Sequence, residues 1–239
     1  MKIIGIGNTA EVLEYEEGKV CKLFHEGFWK PAIELEYNNA VLLQSMDLPT
    51  VKVYGMEQIG ARTGIIYERL FGETILDKLV RGDGEAEQLM EQVASLHKRI
   101  ISVHNEDSMS YKEFLTMITG DDTEEKRQLQ KEIAKLPDGT NLCHGDFHPG
   151  NVWVNKDGSN VIIDFMNVCH GPWQYDVARS YVLMTYGELA EDMPNREKIA
   201  SMRKQIAQLY LKKMGVKYDD IAMYISIIEA CRVYEMHQE

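Results

Sequence analysis

The sequence has few of the features that define secreted or membrane-spanning proteins. No apolar run approaches the ~20 residues that a transmembrane helix needs, and Asn8 and Glu11 interrupt the apolar N-terminal stretch too early for a signal peptide. The four cysteines are scattered without a C-x-x-C pair, which is typical of a reduced chain rather than a disulfide framework. We therefore expect a cytoplasmic globular protein with no membrane partner.

Basic residues are also in short supply. Lysine and arginine together number 26, against 38 aspartate and glutamate residues, which gives a net charge of -12. A surface that binds nucleic acid or an anionic membrane needs a basic face, so we expect no nucleic-acid partner. The acidity is compatible with a cationic small substrate, although solubility is the commoner reason for an acidic surface.

The first seventy residues predict a small lobe built on a sheet. The segments "KIIGIG", "AEVLEY", "KVCKLF", "TVKVYGM" and "TGIIYER" are short and rich in β-branched, aromatic or apolar residues, and turn residues separate them. Between the third and fourth segments, "PAIELEYNNAVLLQSM" has apolar residues at helical spacing and begins with Pro31, which suits a helix start. Five strands and one helix are expected.

The remainder of the chain predicts a larger, mainly helical lobe. Helical periodicity covers residues 85–104 and residues 195–214, and a last helix is expected from about residue 219 toward residue 236. One hairpin, "NVWVN" and "NVIIDF", interrupts the helices. We therefore predict an α+β fold with an N-terminal lobe at residues 1–70, a C-terminal lobe at residues 71–239 and a hinge at about residues 68–72.

Several residues would suit an active site, but each taken alone has an ordinary explanation. The turn Gly5-x-Gly7-x-x-Ala10 could cover phosphates or simply close a hairpin. A strand follows it, so it is not a dinucleotide fingerprint, and no Gly-Lys-Ser/Thr follows, so it is not a Walker A loop. Lys22 could lie at an exposed sheet edge and Glu36 on a solvated helix face, and an aspartate such as Asp164 ends many buried strands.

The order and spacing of these residues favour chemistry. In the run "CHGDFHPGN", Asn151 stands five residues after Asp146, and Asp164 follows Asn151 by thirteen residues across the hairpin. A kinase catalytic loop reads H-x-D-x-x-x-x-N and is followed by a hairpin and a metal-binding Asp. The glycine turn, Lys22 and Glu36 precede it in the order that kinases use. An ordered match of six elements is not expected by chance.

The chain resembles the aminoglycoside phosphotransferase and choline kinase-like family of small-molecule kinases, which have a protein-kinase-like bilobal fold. The resemblance runs from Gly5 to about Tyr234, and the loop "HGDFHPGN" is its most specific part. "LPTVKVYG" resembles the family's inter-strand linker, "YERLFGE" its hinge, and "GPWQYDVAR" the segment after its metal-binding Asp. No Ala-Pro-Glu motif follows Asp164, which argues against a protein substrate. Ala10 stands at the third glycine of the kinase glycine loop and Met166 at the glycine of the Asp-Phe-Gly motif, and small-molecule kinases of this group often lack both glycines.

The resemblance implies a role for each matching residue. Asp146 would accept the proton of a substrate hydroxyl or orient that hydroxyl, and Asn151 and Asp164 would hold Mg²⁺. Lys22 would bind the α- and β-phosphates of ATP or GTP and pair with Glu36, with Glu34 as the rival partner. The rest of the implied nucleotide site comprises Gly5, Gly7, Val12, Val20, the Glu68 carbonyl, the Leu70 amide and Trp153, whose alternative is plain core packing.

Two further histidines and one aspartate have structural explanations. His144 and His148 could suggest a metal site, but Pro149 and Gly150 disfavour a helix there, and His144 is expected to brace the loop. By resemblance, Asp176 would support the catalytic loop from a following helix. The acceptor would lie against residues 107–136 and 186–239. Acidic clusters in and beside these segments could favour a cationic amino-sugar or amino-alcohol; they include Glu106-Asp107, Asp121-Asp122, Glu124-Glu125 and Glu191-Asp192.

The sequence thus predicts an Mg-dependent kinase that phosphorylates a hydroxyl group of a small molecule. The alternative is a catalytically silent, nucleotide-binding regulatory protein of kinase fold.

Overall fold

The protein divides into two compact units. The computed structural model describes residues 2–186 and 196–235. Of these, the first unit comprises residues 2–74 and 151–166, and the second comprises residues 75–150, 167–186 and 196–235. The predicted hairpin therefore belongs to the first unit, whereas the sequence analysis divided the chain once, at residue 70. The predicted hinge at 68–72 lies wholly within the first unit.

The first unit contains a five-stranded antiparallel sheet and the helix α1, as predicted. The strand order is β1-β2-β3-β5-β4, and α1 connects β3 to β4. Pro31 lies in the first turn of the helix, where its missing N–H costs nothing. The elements are β1 (Ile3–Ile6), β2 (Ala10–Glu14), β3 (Lys19–Phe24), α1 (Lys30–Gln44), β4 (Val53–Ile59) and β5 (Arg62–Glu68).

The two faces of this sheet differ in character. Alternate residues of β2, β3 and β5 form an apolar cluster, which consists of Leu13, Cys21, Leu23 and Ile66. Burial of each leucine or isoleucine side chain contributes about 1.5–3 kcal/mol. On the opposite face Val12 lies directly across from Lys22, and Val20 lies across from Tyr67. Lys22 therefore shares a face with two valines, as its alternation with Val20 predicts.

A second, three-stranded sheet completes the first unit. The predicted hairpin is present as β8 (Val152–Asn155) and β9 (Asn160–Ile162), and a short strand β6 (Gly72–Thr74) pairs with β8. The sequence analysis missed β6. Ile162 donates its N–H to the Pro49 carbonyl at 2.7 Å and accepts from the Val51 N–H at 3.1 Å. These bonds explain why residues 151–166 belong with the first unit.

The second unit is mainly helical, as predicted. The described helices are α2 (Ile75–Arg81), α3 (Ala86–Ile101), α4 (Tyr111–Thr119), α5 (Glu124–Lys135), α6 (Trp173–Tyr186), α7 (Arg196–Met214) and α8 (Tyr218–Glu235). The predictions for 85–104, 195–214 and 219–236 correspond to α3, α7 and α8, with residues 195 and 236 outside the described part. The short strands β7 (Asn141–Cys143) and β10 (Cys169–Gly171), which pair antiparallel, were not predicted.

Helix α6 lacked the usual sequence signal because it is buried on nearly every side. Residues 175–182 are all buried, so the helix has no polar face and no amphipathic period. Helix α4, in contrast, carried a readable signal: Ser110 and Glu113 form a capping box. Within the described residues, no helix is long and apolar enough to cross a membrane.

Candidate active site

The loop that carries Asp146 begins directly after β7, in the second unit, and α6 holds its backbone. The Asp176 carboxylate accepts the His144 N–H at 2.8 Å and the Gly145 N–H at 2.9 Å. The supporting contact expected of Asp176 is therefore present. Both amide groups lie immediately before Asp146, so the bonds to Asp176 set the path of the chain into that residue.

Only glycine fits at position 145 of this turn. Its φ is +75°, in the left-handed region, and a Cβ atom there would lie 2.0 Å from the Asn167 carbonyl oxygen. Any other side chain would have to displace the backbone at Asn167. The glycine of the "HGD" motif therefore has a steric reason within the second unit.

The Asp176 carboxylate is wholly buried and has a third partner, which the sequence analysis missed. His97 on α3 donates from Nε2 to Asp176 at 2.8 Å, and its Nδ1 lies 2.5 Å from the Tyr210 hydroxyl on α7. Burial by itself raises the pKa of Asp176, but His97 and the loop amide of Gly145 outweigh it and hold that pKa below its usual range. The sequence did contain one sign of this role: His97 is a polar residue on the apolar face of α3, between Val93 and Ile100.

We expect Asp176→Asn to lower the free energy of unfolding by about 3–5 kcal/mol at neutral pH, because it breaks a buried charged network. One position of the amide would turn an NH₂ group toward the His144 N–H, donor against donor. Because the folded-state pKa is lowered, the carboxylate stabilises the fold above its ordinary pKa of about 3.9 and loses that contribution as the pH falls through the folded-state value.

Urea denaturation from neutral to acidic pH measures this effect, with Asp219→Asn on the exposed start of α8 as the matched control. The difference in the free energy of unfolding between the wild type and Asp176→Asn should become smaller as the pH is lowered. A difference that stays the same at every pH would contradict the role of the Asp176 charge.

Both histidines of the loop make hydrogen bonds to its own backbone. His144, which is buried, accepts the Asp146 N–H at Nδ1 over 3.3 Å, as its expected bracing role requires. His148 accepts the Gly150 N–H at Nδ1 over 3.0 Å, and its Nε2 lies 4.0 Å from the Asp146 carboxylate. Within residues 2–186 and 196–235, no group of three or more His, Cys, Asp and Glu side chains could hold a metal ion.

In the first unit, Lys22, Glu36 and Asp164 form one ionic cluster. The Lys22 Nζ lies 2.8 Å from Oε1 and 2.9 Å from Oε2 of Glu36, and 3.0 Å from Oδ1 of Asp164. Glu34, the rival partner, lies 3.7 Å from Lys30 instead. The contact between Lys22 and Glu36 is thus the one that was predicted, and its role in nucleotide binding stays a prediction.

Burial and charge act in opposition in this cluster. Burial lowers the pKa of Lys22, but the charges on Asp164 and Glu36 outweigh it, and the net pKa is raised. Burial raises the pKa of Glu36 despite the opposing charge of Lys22. Tyr67 on β5 donates its hydroxyl to Glu36 Oε1 at 3.0 Å, which favours the carboxylate. This bond was not predicted from the sequence.

Replacing Tyr67 by phenylalanine is expected to reduce the free energy of unfolding by about 1.5–3 kcal/mol, the range for a hydrogen bond to a charged group. The reason is that Glu36 is fully buried and would lose one of its donors. Chemical denaturation at neutral pH measures the change. Tyr54→Phe, on the exposed side of β4, is the control, and an equal loss in both variants would argue against the bond.

Asp164 has an unusual backbone conformation that two neighbouring contacts enforce. It is the one non-glycine residue in the described ranges with a positive φ, +67°. Such a conformation costs about 1–2 kcal/mol for most residues, with Asp and Asn the most tolerant. Just before it, the Ile163 N–H donates to the Asn151 carbonyl at 3.1 Å, and just after it, the Phe165 carbonyl accepts from the Asn39 side chain at 2.8 Å. Strand β9 accordingly ends at Ile162, short of Asp164.

Asn151 and Asp164 form a donor set that fits Mg²⁺. The backbone bond from Ile163 to Asn151 brings the two residues into neighbouring positions. Their side chains offer a carboxamide and a carboxylate oxygen, the hard ligands that Mg²⁺ prefers. Mg²⁺ in phosphoryl-transfer sites is commonly held by one or two such groups together with substrate phosphates and water. The metal-binding role of both residues stays a prediction.

The glycines of the first turn are not required by the protein's own packing. Gly5 pairs with Val12 between β1 and β2, and the Gly7 N–H donates to the Ala10 carbonyl at 2.8 Å, which closes the turn. A Cβ atom at Gly5 or at Gly7 would meet its nearest neighbour at an ordinary 3.5 Å. Val12 and Val20, half-buried, lie on the same face as Lys22.

The three other predicted nucleotide residues also lie in the first unit. Glu68 is the last residue of β5 and donates its N–H to the Lys52 carbonyl at 2.8 Å, and Leu70 lies between β5 and β6. Trp153 on β8 is half-buried, and its Nε1 is buried without a hydrogen-bond partner in the described part of the chain. Both roles considered for Trp153 stay predictions.

Comparison with known proteins agrees with this arrangement. The model of the phosphotransferase enzyme family, named APH, matches residues 3–201. A crystal structure of an aminoglycoside-3'-phosphotransferase of type VIII has a TM-score of 0.65 at 14% identity, over 97% of this chain and 92% of that one. The aminoglycoside phosphotransferase APH(3'')-Id from Streptomyces rimosus ATCC10970 has a TM-score of 0.61 at 15% identity, over 96% and 92% of the two chains.

A smaller likeness extends to a choline kinase. LicA from Streptococcus pneumoniae has a TM-score of 0.51 at 14% identity, over 98% of this chain and 91% of that one. No curated protein sequence gives a significant match. The structural neighbours share the fold, and the family model covers most of the sequence. The chain therefore belongs to the phosphotransferase enzyme family.

Proposed function

We propose that the protein transfers the γ-phosphoryl group of ATP or GTP to a hydroxyl group of a small molecule. The observation that carries this proposal is the cluster of Lys22, Glu36 and Asp164. A half-buried lysine held by two carboxylates is costly for the fold and suits phosphate binding. Phosphoryl transfer depends mainly on positioning and on neutralising charge, and the cluster holds the positive charge of Lys22 in a fixed position for this purpose.

Lys22 would contact the α- and β-phosphates through its Nζ. The raised pKa keeps the amine protonated, and the buried Glu36 limits its motion. Asn151 and Asp164 would hold Mg²⁺, which when bound supplies further positive charge to the phosphates. The backbone of the turn at Gly5 and Gly7 would approach the phosphates closely, and this is the reason we propose for glycines that packing does not require.

Asp146 would act on the acceptor. Its carboxylate orients the acceptor hydroxyl and takes its proton while the hydroxyl oxygen bonds to the γ-phosphorus and the bond to the β-phosphate oxygen breaks. The products are a phosphate ester and a nucleoside diphosphate. The hydrogen bonds between Asp176 and the loop backbone just before Asp146 support this role, because small errors in the position of a catalytic group reduce the rate strongly.

The base-binding part of the same nucleotide site would be lined by five residues: Val12, Val20, Glu68, Leu70 and Trp153. Val12 and Val20 offer apolar surface beside Lys22, and the Glu68 carbonyl and Leu70 amide offer one acceptor and one donor to the base. These assignments rest on the family resemblance, and the positions of the five residues in the first unit are compatible with them.

The acceptor class is proposed as a cationic amino-sugar or amino-alcohol. A structurally similar aminoglycoside phosphotransferase has been solved with streptomycin and ATP and also with gentamicin, and the net charge of -12 favours a cation. Some of the acidic residues considered for this role pair within the protein: Asp122 lies 2.6 Å from Lys126, and Glu124 lies 3.1 Å from Arg127. Glu191 and Asp192 lie outside the described residues.

An acceptor screen tests the proposal. The protein is incubated with Mg-ATP or Mg-GTP and with pools of aminoglycosides, choline-like alcohols and neutral sugars, and release of nucleoside diphosphate is followed. We expect acceptor-dependent release with a cationic pool. Equal release with neutral and cationic alcohols would exclude the electrostatic preference. Nucleotide binding without turnover of any pool would instead favour a regulatory protein of kinase fold.

A further inference from the structure

We propose that Arg179 on α6 is a positioning residue for Asp146 and that Glu235, at the end of α8, holds Arg179 in place. This inference deepens the proposed function and rests on it for the role of Asp146. It assigns to the C-terminal helix a part in setting the geometry of the catalytic loop.

Arg179 is a completely buried arginine with partners at both ends of its guanidinium group. Its Nε donates to the Gly145 carbonyl. Its Nη2 donates to Glu235 Oε1 at 2.5 Å, and its Nη1 lies 3.4 Å from Oε2. The guanidinium carbon also lies 4.9 Å from the centre of the Phe114 ring on α4. One side chain thus connects the catalytic loop to the C-terminal helix.

The contact with Gly145 fixes the peptide group that leads into Asp146. The carbonyl of Gly145 and the N–H of Asp146 belong to the same planar peptide unit. Arg179 binds that carbonyl, and the Asp146 N–H donates to His144 at 3.3 Å. The preceding peptide is held by Asp176, one turn before Arg179 on α6, which accepts the Gly145 N–H at 2.9 Å. Two side chains of α6 therefore fix consecutive peptide units of the loop.

Glu235 is needed because a buried guanidinium without a counter-charge is costly. Burial raises the pKa of Glu235, but the charge of Arg179 outweighs it, and the net pKa is lowered, so the carboxylate stays ionised at neutral pH. Without the charge of Glu235, Arg179 would be attracted to other anions. Asp146 is one such anion, because its charge already raises the pKa of Arg179. The side chain would then lose its fixed contact with the loop.

The main test is Glu235→Gln, which keeps the shape of the side chain and removes its charge. We expect kcat to fall about 10- to 10²-fold, because small displacements of catalytic groups have effects of that size. The KM values for nucleotide and acceptor should stay unchanged. Arg179→Lys should behave alike, since a lysine can reach the carbonyl or the carboxylate but cannot form the fork of an arginine.

Arg232→Gln is the matched control. Arg232 also pairs with Glu235, at 3.3 Å, from one turn earlier on α8, and it is partly exposed. Removing it leaves the bond between Arg179 and Glu235 in place. We expect wild-type kcat and KM from this variant.

A readout that does not need turnover separates this inference from the proposed function. Hydrogen–deuterium exchange of the backbone across residues 143–148 should be faster in Glu235→Gln than in wild type and Arg232→Gln. If the wild type turns over no acceptor, the proposed function fails, and exchange still decides whether the pair holds the loop. Unchanged exchange, unchanged kcat, or a rise in both KM values in step with lost stability would each overturn the inference.

Discussion

Replacing Asp146 by asparagine is expected to lower kcat by about 10²- to 10⁴-fold, the usual contribution of a general base, while nucleotide affinity stays close to that of the wild type. Asparagine has nearly the same shape but cannot take the proton of the acceptor hydroxyl. The loop backbone should be retained, because its bonds to Asp176 and Arg179 involve the His144 and Gly145 peptides and not the side chain of Asp146.

The measurement combines steady-state turnover with calorimetric titration of the nucleotide. The matched control is Asp138→Asn, at a surface position whose side chain is 93% exposed and pairs with Lys112. Turnover at the wild-type rate would remove Asp146 from the mechanism. A parallel loss of nucleotide affinity would show that the residue acts in binding rather than on the acceptor.

Replacing Asp164 by asparagine is expected to lower kcat/KM for the nucleotide by about 10²- to 10³-fold, the size of effect seen when one preorganised electrostatic group is lost. Asparagine adopts a positive φ as readily as aspartate, so the backbone at +67° should persist. The change then reports on charge alone. Lys22 would keep Glu36 as its partner, at 2.8 Å.

The same variant should need a higher Mg²⁺ concentration for half-maximal activity, because one anionic ligand is lost. Asp157→Asn, in the exposed turn of the hairpin between β8 and β9, is the control, since asparagine can still accept the Ser159 N–H that Asp157 binds at 2.9 Å. An unchanged dependence on Mg²⁺ would argue that Asp164 serves only to hold Lys22.

Much of the first unit could be predicted because its signals are local. Strands of alternating character, a proline at a helix start and turn residues between them act over a few positions, and the five-stranded sheet and α1 follow from them. The same holds for α3 and α7, whose apolar residues recur at helical spacing along the sequence. Three missed elements offer little local signal: α6 is buried on nearly every side, and β7 and β10 have three residues each.

The candidate site shows the same division. The types and spacing of Lys22, Glu36, Asp146, Asn151 and Asp164 by themselves predicted a kinase-like site, because kinases carry those groups in that order along the chain. The residues that hold them carry no such pattern. His97, Arg179 and Tyr67 act through partners that are 31 or more residues away, and their roles depend on burial, which leaves a polar group dependent on its few partners.

The sequence by itself thus determined the family, the five-stranded sheet with its helix, three helices of the second unit and the chemical groups available for the proposed catalysis. The tertiary structure alone decided which buried side chains fix those groups, from the bond between Glu36 and Tyr67 to the connection from Glu235 through Arg179 to Gly145. The physical reason is range: periodicity and motif spacing are properties of neighbouring residues, whereas a buried charge is stabilised by whichever partners folding brings to it.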